Sequence, residues 1–258
     1  MNKEQLAANY VYGKNPVKEK LKSVKSGTLF LQKTREKNKY SDLAKKAESK
    51  NLNVTFLDKM MMNKNFGDYN HQGIVLKIEE EYSFILDEKE FLDKINLDDN
   101  SECCITILDG VKDVGNYGAV LRSCLLFDVK YVVLPKDNSA PVNEFVIKRS
   151  AGSVFQLKIV YVTNLNRIIE KLKKNGFWVY AADKDGDRLD KTAFDESKTA
   201  IVFGDEGKGI RRLTLEKCDY RITIPTNKKL DSLNISVSAG IILHDRYSKK
   251  NTSLSAGQ

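Results

Sequence analysis

The chain has 258 residues, of which 41% are hydrophobic and 30% charged, with a net charge of +8; this is the composition of a globular protein built as one large domain or two smaller ones. No run of about 18 apolar residues occurs, and the opening MNKEQLAANYVYGKNP has no apolar signal core, so a soluble, cytoplasmic protein without a membrane span is expected. Cys103, Cys104, Cys124 and Cys218 show no C-x-x-C spacing and sit in or beside apolar segments, which predicts reduced, mostly buried thiols and no metal site.

In chain order, residues 1–78 carry a charge of +9, residues 79–103 carry −8 and the remainder +7. The first block reads as a compact α/β unit: NPVKEKLKSV as a helix started near Pro16, TLFLQ as a strand, DLAKKAESKN as a second helix ending at Asn51, and NVTFL as a strand. Its lysines, punctuated by Tyr10, Tyr12, Phe30, Tyr40 and Phe56, fit a binder of nucleic-acid phosphates, because each neutralised phosphate releases counterions. A solvated lysine-rich face is the alternative. The acidic stretch EEEYSFILDEKEFLDKINLDDNSE marks the boundary and is expected as a linker over residues 79–102.

From Cys103 onward, the short apolar segments ITILD, YVVL, LKIVYV, FWVYAA, AIVFG and RITIP alternate with the helical patterns GAVLRSCLLF, NEFVIKRSAG, NLNRIIEKLKKNG and GIRRLTLEKC. That rhythm predicts an α/β fold with a mostly parallel sheet covered by helices on both faces. Ligands of such sheets sit beyond the C-terminal ends of the strands. Three segments rich in Gly, Asn, Ser and charge fall there: LDGVKDVGNYGAVLRS (108–123), IVFGDEGKGIRRLT (201–214) and IPTNKKLDSLNISVSAGIILHD (224–245). Neither G-x-G-x-x-G nor G-x-x-x-x-G-K-[ST] occurs, G-x-S-x-G is absent, and His71 and His244 are the only histidines. Nucleotide-fold and triad chemistries are therefore unsupported.

The three segments, in this order and spacing, resemble the signature motifs of the SpoU (TrmH-like) class of SPOUT RNA 2′-O-ribose methyltransferases. The resemblance spans roughly residues 103–247. HQGIVL (71–76) and KRSAG (148–152) extend it to members with an N-terminal RNA-binding domain of the ribosomal-protein L30e type, such as those that methylate a guanosine of 23S rRNA. It implies a trefoil knot in the C-terminal domain, S-adenosyl-L-methionine as cofactor, structured RNA as partner and a homodimer. The implied division is an L30e-like domain at 1–78, the linker, a methyltransferase domain at 103–250 and a disordered tail at 251–258.

Carried over residue by residue, the family pattern D-x-x-N-x-G-A-x-x-R is met by Asp113, Asn116, Gly118, Ala119 and Arg122, with Val114 where members often have Pro. The resemblance places Asn116 near the target ribose and makes Arg122 catalytic. Its role is open between base and phosphate grip, a guanidinium being a reluctant base and a good fork for phosphate. Glu206 is the family's glutamate; ordering the loop, pairing with Arg122, handling protons and meeting a helix dipole all remain open for it. Gly204, Ile224 and Leu233 match the cofactor-binding positions, and Gly207 and Gly209 are expected to allow positive φ or close backbone approach. Ser232 and Asn234 match the polar pair of the third motif, with Asn234 also a candidate N-cap. Ser236, Ser238, Ala239 and Gly240 read as helix packing and His244 as structural. A non-catalytic RNA scaffold, or methylation of tRNA or of an rRNA adenosine, are the alternative readings.

Overall fold

A computed structural model of the protein describes residues 10–36, 39–67, 70–79, 84–97, 102–227 and 232–255. Parts of the expected linker (80–83, 98–101) and of the third segment (228–231) lie outside them. The contacts divide the chain into two units, Met1–Ser83 with Pro141–Gln156, and Phe84–Ala140 with Leu157–Gln258.

The first unit holds a four-stranded sheet in the order β1-β4-β2-β3, with β1 Tyr10–Tyr12, β2 Gly27–Gln32, β3 Asn53–Leu57 and β4 Ile74–Ile78. Only β2 and β3 run parallel. Its helices are α1 Lys14–Lys20, α2 Ser41–Glu48 and α3 Lys59–Phe66, with α6 Glu144–Arg149 from the later segment. Tyr12, Met62, Phe66 and Val75 form an apolar cluster against which Tyr10 and Phe30 pack. Four of the five aromatics expected among the lysines are thus at least half-buried, Tyr40 included, and only Phe56 is exposed, at 47%. KRSAG also finds its reason in this unit. Ala151 and Gly152 both take positive φ, and a Cβ on Gly152 would come within 2.7 Å of Glu19 Cβ and 3.1 Å of Pro16 Cα on α1.

The second unit is built on a seven-stranded, all-parallel sheet in the order β11-β9-β10-β6-β7-β8-β5. Its strands are β5 Ile85–Leu86, β6 Cys103–Asp109, β7 Val129–Pro135, β8 Lys158–Val162, β9 Trp178–Arg188, β10 Lys198–Gly204 and β11 Tyr220–Thr223. All seven residues of β6 are buried, as a strand covered on both faces requires. The helices are α4 Glu88–Leu97, α5 Val114–Leu126, α7 Leu165–Lys174, α8 Arg212–Leu215 and α9 Ile235–Ser255. On α7, Leu165, Ile168, Ile169 and Leu172 are buried at helical spacing while the lysines face water. The order reverses between β10 and β6: the chain steps out through β7 and β8, then crosses to β9. Such a reversal opens a crevice at the C-terminal strand ends.

The sequence expectations fail in identifiable places. The acidic stretch is more than a linker, since β5 pairs with β8 and α4 buries Phe91 and Ile95. Its acids start the helix: Glu90 N–H donates to Asp87 Oδ1 (2.8 Å) and Asp87 N–H to Glu90 Oε2 (3.0 Å), a reciprocal cap. Residues 141–156 group with the first unit rather than with the methyltransferase domain. Helix α9 continues past residue 250 to Ser255, into the expected tail. GIRRLTLEKC yields one turn of helix, α8. Three of the four cysteines are buried and all are free. Among the described residues, no helix is long and apolar enough to cross a membrane.

Candidate active site

The three segments leave the same edge of the sheet. Asp109, the last residue of β6, stands in register with Gly204, the last of β10, and the third segment follows β11. Helix α5 begins within the first, at Val114, because Asp113 caps it: its Oδ1 accepts the Asn116 N–H at 2.7 Å. This holds Asn116 in the first turn of α5, facing the other two segments.

The second segment closes on itself. Asp205 and Gly209 pair through Asp205 N–H to Gly209 O (3.1 Å) and Gly209 N–H to Asp205 O (2.8 Å), while Asp205 Oδ1 accepts the N–H groups of Gly207 and Lys208. Gly209 has φ +68°, and a Cβ on Gly204 would lie 2.1 Å from the Gly209 carbonyl carbon. Those two glycines are thus required, one for conformation and one for close approach. Gly207 is required for neither; its φ is not positive and a Cβ there meets only ordinary contact. The turn is anchored further on by Arg211, whose Nε (2.7 Å) and Nη2 (2.6 Å) hold Asp109 Oδ1 while its N–H donates to Oδ2. Asp109 is fully buried, so the guanidinium supplies the charge partner such a carboxylate needs. This pair was missed in the sequence, where 102 residues separate its members.

One side chain from each segment meets in a single network. Asn116 Nδ2 donates to Glu206 Oε1 at 2.9 Å, and Asn234 Nδ2 donates to the same oxygen and to Asn116 Oδ1 at 3.0 Å. The amide orientations follow from the far end. Asn234 Oδ1 accepts the Ser236 N–H at 2.9 Å as the cap of α9, which leaves its NH2 to face the other two residues. Glu206 therefore receives two amide donors and works as an acceptor. It pairs with neither Arg122 nor a helix dipole, α8 beginning six residues later.

The remaining predicted residues lie outside this network. Arg122 is exposed on α5 and makes no ion pair or hydrogen bond among the described residues. Ser232 is exposed beside Asn234. Ile224 is half-buried and Leu233 is 37% exposed, apolar surface at the strand ends that suits an adenine ring. Together with the backbone of Gly204 and Gly209 they fit an adenosyl cofactor. His244 stacks edge-on against Phe127 (5.4 Å) and contacts Ser248, away from the network. Ala239 is buried between α9 and its neighbours, and Gly240 lies over Ser123 of α5, so these small residues serve packing.

Comparison with known proteins gives the family. Residues 104–244 match the model of the SpoU rRNA Methylase family, and residues 10–83 match that of the RNA 2′-O ribose methyltransferase substrate-binding domain. A 23S rRNA (guanosine-2′-O-)-methyltransferase, RlmB, of Coxiella burnetii is 36% identical over 217 residues, covering 84% of this chain and 85% of that protein. The enzyme of that name from Xanthomonas campestris is 34% identical, covering 80% and 81%. The crystal structure of an AdoMet-bound rRNA methyltransferase from Sinorhizobium meliloti superposes with a TM-score of 0.75 at 19% identity, over 95% of this chain and 89% of that one, a likeness of fold. The chain belongs to the SpoU family, RNA 2′-O-ribose methyltransferases that use S-adenosylmethionine.

Proposed function

We propose that this protein methylates the ribose 2′-oxygen of a guanosine in 23S rRNA. The observation that carries the reading is the junction of all three segments through Asn116, Glu206 and Asn234. A decayed scaffold would have no reason to keep three polar side chains from distant segments in one closed network. The choice of guanosine and 23S rRNA is supported by relatives of that name that match most of this chain.

S-adenosylmethionine supplies a methyl group already activated as a sulfonium. The residues of the chain then have to bring in the ribose, shut the site and manage one proton. Glu206 fixes the Asn116 and Asn234 amides, so the polar wall facing the ribose is set before substrate arrives. Arg122, unpaired among the described residues, grips an RNA phosphate and steadies negative charge growing on the 2′-oxygen. Gly204, Gly207, Gly209, Ile224 and Leu233 hold the cofactor; Ser232 contacts substrate beside Asn234.

The homodimer and the trefoil knot belong to the same proposal. Support for the dimer comes from α5 and α9, which pack together and leave Leu126 (70%), Val237 (47%), Ile241 (39%) and Tyr247 (38%) exposed. Apolar surface of that extent on two adjoining helices marks an interaction face. The test is a map of 2′-O-methylation in rRNA from a strain lacking the protein, where one guanosine of 23S rRNA is expected to lose its mark. An unchanged map sinks the rRNA assignment.

A further inference from the structure

A second concavity opens along the same edge of the sheet, on the β7 and β8 side of β6, with a volume of about 610 Å³. Asp137, Asn138, Thr163, Asn164, Asn166, Arg211 and Arg212 supply most of its polar wall. Arg211 and Arg212 close the second segment; the other five lie outside the cofactor loops, and none of the seven joins the Asn116 network. The loop that carries Asn138 is tied to the first segment, since Ala140 N–H donates to Val111 O at 2.9 Å.

Its size suits a ligand of nucleotide dimensions, and its polar groups are chiefly amide and guanidinium, with two threonine hydroxyls and the single carboxylate of Asp137. Asn164 Oδ1 is taken by the Arg167 N–H at the start of α7, so its NH2 faces outward as a donor. Asn166 is held by no hydrogen bond among the described residues, and its Oδ1 is buried without a partner. An amide so placed can turn either end to a ligand, as reading a base edge requires. Arg212 is 83% exposed, with one loose ion pair to Glu216 at 3.5 Å. Its fork is therefore available to phosphate, whereas Arg211 is committed to Asp109 and serves as fixed wall. Leu213, 57% exposed, adds an apolar face.

We infer that this pocket takes one ribonucleotide of the RNA substrate, next to the methylated one, with the base edge at Asn164 and Asn166 and the phosphate at Arg212. The identity of the RNA rests on the methyltransferase reading above; the pocket's ligand class does not. Titration of the protein with the four nucleoside 5′-monophosphates, followed by backbone and side-chain amide shifts, tests it directly. Saturable shifts are expected at Asn138, at residues 163–166 and at Arg212, weakened about tenfold in Arg212→Ala and in Asn166→Ala. No saturable shift there, or shifts that survive both substitutions, overturns the site. In parallel, methylation of 23S rRNA transcript is expected to show a KM raised about tenfold in both variants, with kcat and S-adenosylmethionine affinity kept. Lost nucleotide binding with an unchanged KM for RNA would make the ligand a free nucleotide and overturn the substrate assignment. If the wild-type protein methylates no rRNA, the activity reading fails while the titration still decides the pocket.

Discussion

Arg122 and Glu206 differ in how much of the structure depends on them. Arg122 is exposed and unpaired among the described residues, so Arg122→Ala is expected to leave the melting temperature and S-adenosylmethionine affinity unchanged while removing most methyl transfer, as activity and calorimetry on one preparation will show. Glu206 accepts from two amides through one oxygen. Glu206→Gln keeps the shape and an acceptor oxygen but removes the charge that orients the Asn116 and Asn234 amides, so kcat is expected to fall about tenfold, about 1.4 kcal/mol of barrier, with little change in melting temperature. Asn116, Glu206 and Asn234 were legible in the sequence through the resemblance to the family's three motifs, which marks these positions. The Asp109–Arg211 pair was illegible, because no local pattern links a strand end to an arginine 102 residues later. Three separate segments were visible, but their closure into one hydrogen-bonded network needed the sheet register of Asp109 with Gly204.

Helix α5 starts at Val114, where the family often carries Pro. Asp113 before it has φ −70° and ψ 119°, a conformation that tolerates a following proline, and the first N–H of a helix needs no partner within it. Val114→Pro is therefore expected to stabilise the protein by about 0.4–1 kcal/mol, measurable by chemical denaturation. In the turn His71–Gln72–Gly73, Ile74 N–H donates to His71 O, and Gln72 and Gly73 both have positive φ. His71 Nδ1 accepts the Gly73 N–H at 2.9 Å, and burial holds the imidazole below its ordinary value of 6.5. A depressed histidine gives stability that is complete above 6.5 and drains away as pH falls through the lower folded value. The wild type should lose more stability between pH 7.5 and 5 than His71→Asn, which cannot titrate. Doubly buried strands were legible as unbroken apolar runs. Strands β1 and β4 and helix α3 were not, being short and without a clear period. Helix α8 was overread, since Gly209 and the grip of Asp109 on the Arg211 N–H take up residues that helical spacing had claimed.

At the scale of the whole molecule, the apolar stripe of α5 and α9 makes oligomeric state a direct test. Val237→Lys with Ile241→Lys is expected to give a monomer by light scattering, with secondary structure kept, because both side chains are exposed and contribute little to the core. Net charge of +8 predicts RNA affinity that falls steeply with salt. The fold class and the existence of two parts were readable from the strand and helix rhythm and the charge step. That residues 141–156 contribute to the first part was not, since nothing in NEFVIKRSAG signals which core it joins.

The chain crosses between its two units three times, after residues 83, 140 and 156. During synthesis, the N-terminal unit cannot be completed when its own first 83 residues have left the ribosome; it waits for α6 and the turn after it, with well over half the protein made. A fragment cut at the acidic boundary would lack that closing piece, and a single proteolytic nick at any one crossing would release neither unit.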